Sequence, residues 1–100
     1  MDFRFATDRL HQLYTSKRGA RRYPSGIVDA FLRRVRHIEA AVDERDLRAP
    51  PGVQFERLRE GYQGKCSLRL NEQWRLIIEI REEQGRKIVL IHEISKHYER

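Results

Sequence analysis

The chain has almost no cysteine. Its one thiol, Cys66, excludes a disulfide framework and a thiolate metal cluster. A place among apolar strand residues predicts that it is a buried structural thiol rather than a nucleophile. Long apolar runs are missing too. No stretch approaches the ~20 residues a membrane span needs, and the start lacks a signal peptide's apolar core, so a reducing cytoplasm is the expected compartment. No histidine and carboxylate cluster stands at metal-ligand spacing, so no cofactor is expected. Internal repeats and low-complexity segments are absent as well. Acidic residues are outnumbered, 15 Asp and Glu against 21 Lys and Arg, for a formal net charge of +6. That imbalance favours an anionic partner, a nucleic acid or an acidic protein, without choosing between them.

One hundred residues allow one core, so residues 1–100 are expected to form a single domain. A hydrophobic fraction of 39% against a charged fraction of 36% makes that core thin. Phe3 and Phe5 alternate with Asp2 and Arg4 as a short opening strand. Thr7 or Asp8 can cap a helix carrying Leu10, Leu13 and Tyr14, which Gly19 ends within a basic connection from Lys17 to Arg22. Pro24 suits the first turn of a second helix, with Val28, Phe31, Leu32, Val35, Ile38 and Val42 at helical spacing. Arg33, Arg34 and Arg36 stand away from the centre of that stripe. Pro50-Pro51-Gly52 forbids helix, and residues 54–59, 65–70, 74–82 and 86–95 then read as strands. Strands after helices imply an α+β fold: two N-terminal helices packed on one face of a mainly antiparallel sheet, the other face open.

The richest stretch is Ser67-Leu68-Arg69-Leu70-Asn71-Glu72-Gln73-Trp74-Arg75-Leu76. Leu68 and Leu70 alternate with polar residues, and Trp74, Leu76, Ile78 and Ile80 repeat the pattern after the turn. If both apolar sets face one core, Leu70 lies opposite Trp74 and Arg69 opposite Arg75, joined through Asn71-Glu72-Gln73. Like charges directly opposite destabilise a sheet. An anionic ligand would give them a reason; the alternative is two solvated arginines splayed apart.

This stretch closely resembles the signature of HigB-type toxins of the RelE/ParE superfamily, the plasmid maintenance killer proteins. There the run is typically Ser-Ile-Arg-Ile-Asn-Asp-Gln-Trp-Arg-Ile, preceded by a Leu-Glu-x-Leu-(Lys/Arg) strand, here Phe55-Glu56-Arg57-Leu58-Arg59. The resemblance extends over most of the chain, to Glu93-Ile94-Ser95-Lys96-His97-Tyr98. It implies a microbial-ribonuclease-like fold and the toxin of a type II toxin–antitoxin pair, cutting messenger RNA on the ribosome. The implied partners are the ribosome with its messenger RNA and a HigA-like helix-turn-helix antitoxin, through which alone the toxin would meet operator DNA.

Metal-free RNA cleavage needs a base for the 2′-hydroxyl proton, cations for the charged phosphorane, and an acid for the departing 5′-oxygen. Guanidinium forks fit phosphate oxygens, which assigns that role to Arg69 and Arg75. The candidate acids and bases are Glu56, Lys96, His97 and Tyr98. His97 titrates near neutrality, and Lys96 beside two arginines would be pushed toward a base. Tyr98 could donate a proton or stack on a base. Related toxins commonly end in Asp-Tyr-His, so the aromatic and imidazole are swapped here and the acid is a lysine. Arg57, Arg59 and Lys65 would bind RNA from the strands, Arg21 and Arg22 from the basic connection, and Tyr62 by stacking. His92 reads as a partly buried core histidine unless strand register brings it onto the face of Arg75. Two other functions compete: a non-catalytic relative that poisons DNA gyrase by protein contact, and a basic RNA-binding module without toxicity.

Overall fold

Apolar alternation in the strands and a 3.6-residue stripe on the helices meet in one interface. The computed structural model describes residues 1–59 and 64–96. Its elements run β1 (Asp2–Phe5), α1 (Asp8–Ser16), α2 (Ile27–Ala40), α3 (Glu44–Arg48), β2 (Glu56–Arg57), β3 (Lys65–Arg69), β4 (Trp74–Glu83) and β5 (Arg86–Lys96). The strands form one sheet in the order β1-β5-β4-β3-β2. β1 runs parallel to β5 and the other neighbours are antiparallel. The α+β architecture expected from the order of segments is therefore the one observed.

Leu10 and Leu13 of α1, Ile27, Phe31, Val35 and Ile38 of α2, and Leu47 of α3 pack on one side of the sheet. They meet Cys66, Leu68, Leu76, Ile78, Val89, Ile91 and Ile94 there. Each such side chain contributes roughly 1.5–3 kcal/mol when fully buried. Cys66 is part of this core, and burial pushes its thiol pKa up, the setting of an inert sulfur. Phe3, Phe5 and Tyr14 extend the core toward the β1 edge through edge-on and tilted ring contacts. Among the described residues no helix is long and apolar enough to cross a membrane.

Local signals account for most boundaries. The Thr7 side chain caps α1 by accepting from the Leu10 amide at 3.3 Å, and α1 stops at Lys17, whose φ of 60° is left-handed. α2 starts three residues after Pro24, with Gly26 at a φ of 87° as its N-cap. The expected strand over 54–59 shrinks to Glu56–Arg57. Gln54 takes a φ of 44°, which no extended strand tolerates and which costs a side-chain-bearing residue ~1–3 kcal/mol. α3 was not foreseen; Asp43 caps it by accepting from the Arg45 amide, and it buries the single side chain of Leu47.

The face away from the helices is less open than expected. Ser67, Ile77 and Leu90 are buried there, each by register pointing away from the core cluster. The β4–β5 ladder also slips by one residue. Arg75 pairs with Ser95 and Ile77 with Glu93, but Ile78 pairs with Ile91, so His92 is a bulge. A bulge turns two successive residues, His92 and Glu93, away from the core.

Candidate active site

Arg69 and Arg75 are cross-strand partners. The turn that sets this register is held by Asn71, whose side-chain carbonyl accepts from the amides of Gln73 at 2.7 Å and Trp74 at 2.8 Å. The Leu70 and Asn71 amides both donate to the Trp74 carbonyl, which closes the three-residue connection. The Arg69 amide donates not to β4 but to the Val53 carbonyl, at 2.8 Å. Its pair with Arg75 is thus the non-hydrogen-bonded kind, where Cα atoms come to about 4.5 Å and side chains approach most closely. Two guanidinium groups leave the sheet at its tightest spacing.

Their surroundings differ. The Arg75 Nε donates to the Ser67 hydroxyl at 2.7 Å, and its Nη2 donates to the Gln54 carbonyl. Ser67 is fully buried beneath it. Arg75 therefore ties the left-handed Gln54 to the sheet as well as presenting charge. The Arg69 guanidinium makes no hydrogen bond or ion pair among the described residues.

The second helix brings in a cation that was expected away from the centre of its apolar stripe and instead lies on it. Arg34 Nε donates to the Arg69 carbonyl at 2.9 Å, across the edge of the sheet. Burial pushes the Arg34 pKa down, and the charges of Arg33, Arg69 and Arg75 push it further the same way. A signal for it did exist. Arg34 follows Phe31 by three residues and Ile27 by seven, so a charge occupies a position of the helix's buried stripe.

Register also places the other candidates. Glu56 lies opposite Ser67, on the face of the arginine pair. Lys65 lies opposite Glu79 on the same face, further from the turn. Lys96 is a correction: its partner is Trp74, which packs toward the helices, so it lies on the opposite face from Arg69 and Arg75. Arg57 is another. It pairs with Cys66 on the helix side, bonds to Glu44 at 3.2 Å and lies near the Phe55 ring. Arg59 is exposed after β2. Arg21 and Arg22 form an exposed 3-10 turn; the adjoining Tyr23 packs edge-on against Trp74, which puts this turn at the arginine end of the sheet. Tyr62, His97 and Tyr98 lie outside the described residues.

His92 is not a core histidine. The bulge turns it to the outer face, where its Nε2 lies 2.8 Å from the Glu79 carboxylate. Arg81 also donates to Glu79 at 2.9 Å, and these two hydrogen bonds, that from Arg81 first, hold the Glu79 pKa below its usual value. Glu79 is four residues along β4 from Arg75, about 13 Å at the strand rise. Among the described residues no three His, Cys, Asp or Glu side chains converge as a metal site.

Known proteins resemble this chain in sequence and in fold. The sequence model of the RelE-like toxin of the type II toxin–antitoxin system HigB matches residues 3–91. Toxin HigB-1 of Vibrio cholerae serotype O1 is 40% identical over 79 residues, 79% of this chain and 83% of that protein. The fold resembles a YoeB/ParE toxin from Agrobacterium tumefaciens with a TM-score of 0.62, over 98% of this chain and 100% of that one, at 13% identity. The motif that sets the arginine pair lies inside the matched region, and the chain belongs to the HigB-like family, the RelE-like toxins of type II toxin–antitoxin systems.

Proposed function

We propose that this toxin is a metal-independent endoribonuclease that cuts messenger RNA on the ribosome and so stops translation. The observation that carries the reading is the Arg69–Arg75 pair: two cations at the closest cross-strand spacing, one with no partner among the described residues. A phosphodiester brings negative charge to this pair of cations, and its oxygens fit the guanidinium forks. In the reaction the 2′-oxygen bonds to phosphorus while the bond to the 5′-oxygen breaks. Arg69 and Arg75 stabilise the extra negative charge on the phosphorane between these events. Glu56, which shares their face, takes the 2′-hydroxyl proton, and the tail residues His97 and Tyr98 return a proton to the 5′-oxygen. So small a site relies on the ribosome to orient the RNA, and positioning of that kind can lower a barrier by roughly 7–11 kcal/mol.

A type II toxin has an antitoxin partner. We assign that role to a HigA-like helix-turn-helix protein, which would carry the toxin to operator DNA, with the toxin itself acting in the cytoplasm. The experiment is induction of the toxin followed by mapping of new RNA 5′ ends. Cleavage within translated frames, lost when translation is blocked, supports the reading. Intact messenger RNA with a DNA-damage response would assign the chain to gyrase poisoning instead.

A further inference from the structure

Arg34 has more donors than its structural duty uses. β3 ends with the Arg69 carbonyl directed off the sheet edge, and one N–H is enough to satisfy it; Arg34 Nε does so at 2.9 Å. An asparagine or glutamine of suitable reach would serve equally well. The guanidinium instead leaves Nη1 and Nη2, which make no hydrogen bond among the described residues. It is also half-buried, next to Arg69, with no carboxylate bonded to it among the described residues. A partly desolvated cation placed against other cations is costly unless an anion joins it.

We propose that Arg34 binds a backbone phosphate of the RNA adjoining the one held by Arg69 and Arg75, where the strand passes from the sheet face over its edge toward α2. The proposal rests on the outer face being an RNA site. Because Arg34 would hold a neighbouring phosphate rather than the reacting one, it contributes to RNA affinity and KM far more than to kcat. Arg21 and Arg22, at the same end of the sheet, continue the basic path.

The test is the salt dependence of binding of an uncleavable 2′-O-methyl RNA oligonucleotide, read by fluorescence anisotropy. Each phosphate contact to a single strand contributes about −0.7 to the slope of log K against log salt. Arg34→Met, which keeps the aliphatic stem, should make the slope shallower by about 0.7. Arg34→Lys should restore it, and Arg36→Met, which removes an exposed charge from the same helix, should leave it unchanged. On ribosomes Arg34→Met should raise KM several-fold at nearly constant kcat. A wild-type slope in a folded Arg34→Met protein would overturn the proposal and leave Arg34 as a cap for the strand edge. If that variant does not fold, the Arg34 Nε–Hε resonance of the wild type decides: a shift on adding the oligonucleotide supports the contact, and none overturns it. Should Arg69→Ala alter the slope and Arg34→Met not, the inference about Arg34 fails alone. Should Arg34→Met alter it while the wild type cleaves no RNA, the nuclease reading fails and the Arg34 contact survives.

Discussion

The two ends of the outer sheet face treat charge in opposite ways. Near the β4–β5 turn cations are matched. Arg4 pairs with Glu83 through two bonds of 2.9 Å, Arg81 with Glu79 at 2.9 Å and Arg86 with Asp2 at 2.8 Å, while His92 shares Glu79. Near the β3–β4 turn Arg34 donates to a carbonyl, Arg75 donates to a hydroxyl and a carbonyl, and Arg69 has no partner among the described residues. The chain has 15 acidic residues, so scarcity does not explain the difference. Exposed ion pairs contribute only about 0–1 kcal/mol each. The matched end therefore contributes little to the fold, and its lesson is one of placement. At the β4–β5 end cations meet carboxylates, whereas Arg34 and Arg69 bond to no carboxylate among the described residues.

Arg75→Ala should have the largest effect, because it removes both a cation and the tie to Ser67 and Gln54. We expect ribosome-dependent cleavage to fall by about 10²–10³, and unfolding in urea to show a loss of roughly 1.5–3 kcal/mol. Arg69→Ala separates the two roles. Cleavage should fall by a similar ~10²–10³ with the urea midpoint unchanged, since its guanidinium holds nothing among the described residues. A destabilised Arg69→Ala protein would mean that Arg69, like Arg75, has a structural duty. Co-purification should show that both variants keep the antitoxin; loss of binding in both, with folding intact, would place the antitoxin over this face.

At the matched end the effect should be small and pH-dependent. The Glu79 carboxylate is held below its ordinary value of 4.5, mainly by Arg81 and then by His92. A carboxylate depressed in the folded state contributes stability that is full above its unfolded pKa and fades as pH falls through the folded one. Glu79→Gln should thus cost under about 1 kcal/mol near neutral pH, and this difference should vanish on acidification below pH 4.5. Cleavage at neutral pH should not change. A loss of cleavage as large as that of Arg69→Ala would make the two ends one site.

The arginine pair was legible because parity is an arithmetic constraint. Once Leu68, Leu70, Trp74 and Leu76 share a face, Arg69 must meet Arg75. Arg34 was harder to see, since its contact joins residues 35 apart in different layers. The clue, a charge on an apolar helical stripe, says only that the residue is anomalous. The bulge at His92 has no local signature, and one inserted residue reversed the side of a histidine otherwise read as core. α3 escaped because a helix of five residues with one buried leucine has too few turns to show a period. Lys96 was misplaced for a related reason: nearness to the arginines in the ladder was inferred, whereas parity with Trp74 sends it to the other face.

Adding a carboxylate beside Arg75 tests the central claim most directly. Ser95 lies opposite Arg75 on β5, and a carboxylate there would stand across from the guanidinium. Ser95→Glu should raise the melting temperature or leave it unchanged, because opposite charges across strands stabilise a sheet. Ribosome-dependent cleavage, measured on the same preparation, should fall as severely as in Arg69→Ala. A Ser95→Glu protein that is equally stable and cleaves at the wild-type rate would contradict the account, and the arginine pair would then be surface charge and not the phosphate site.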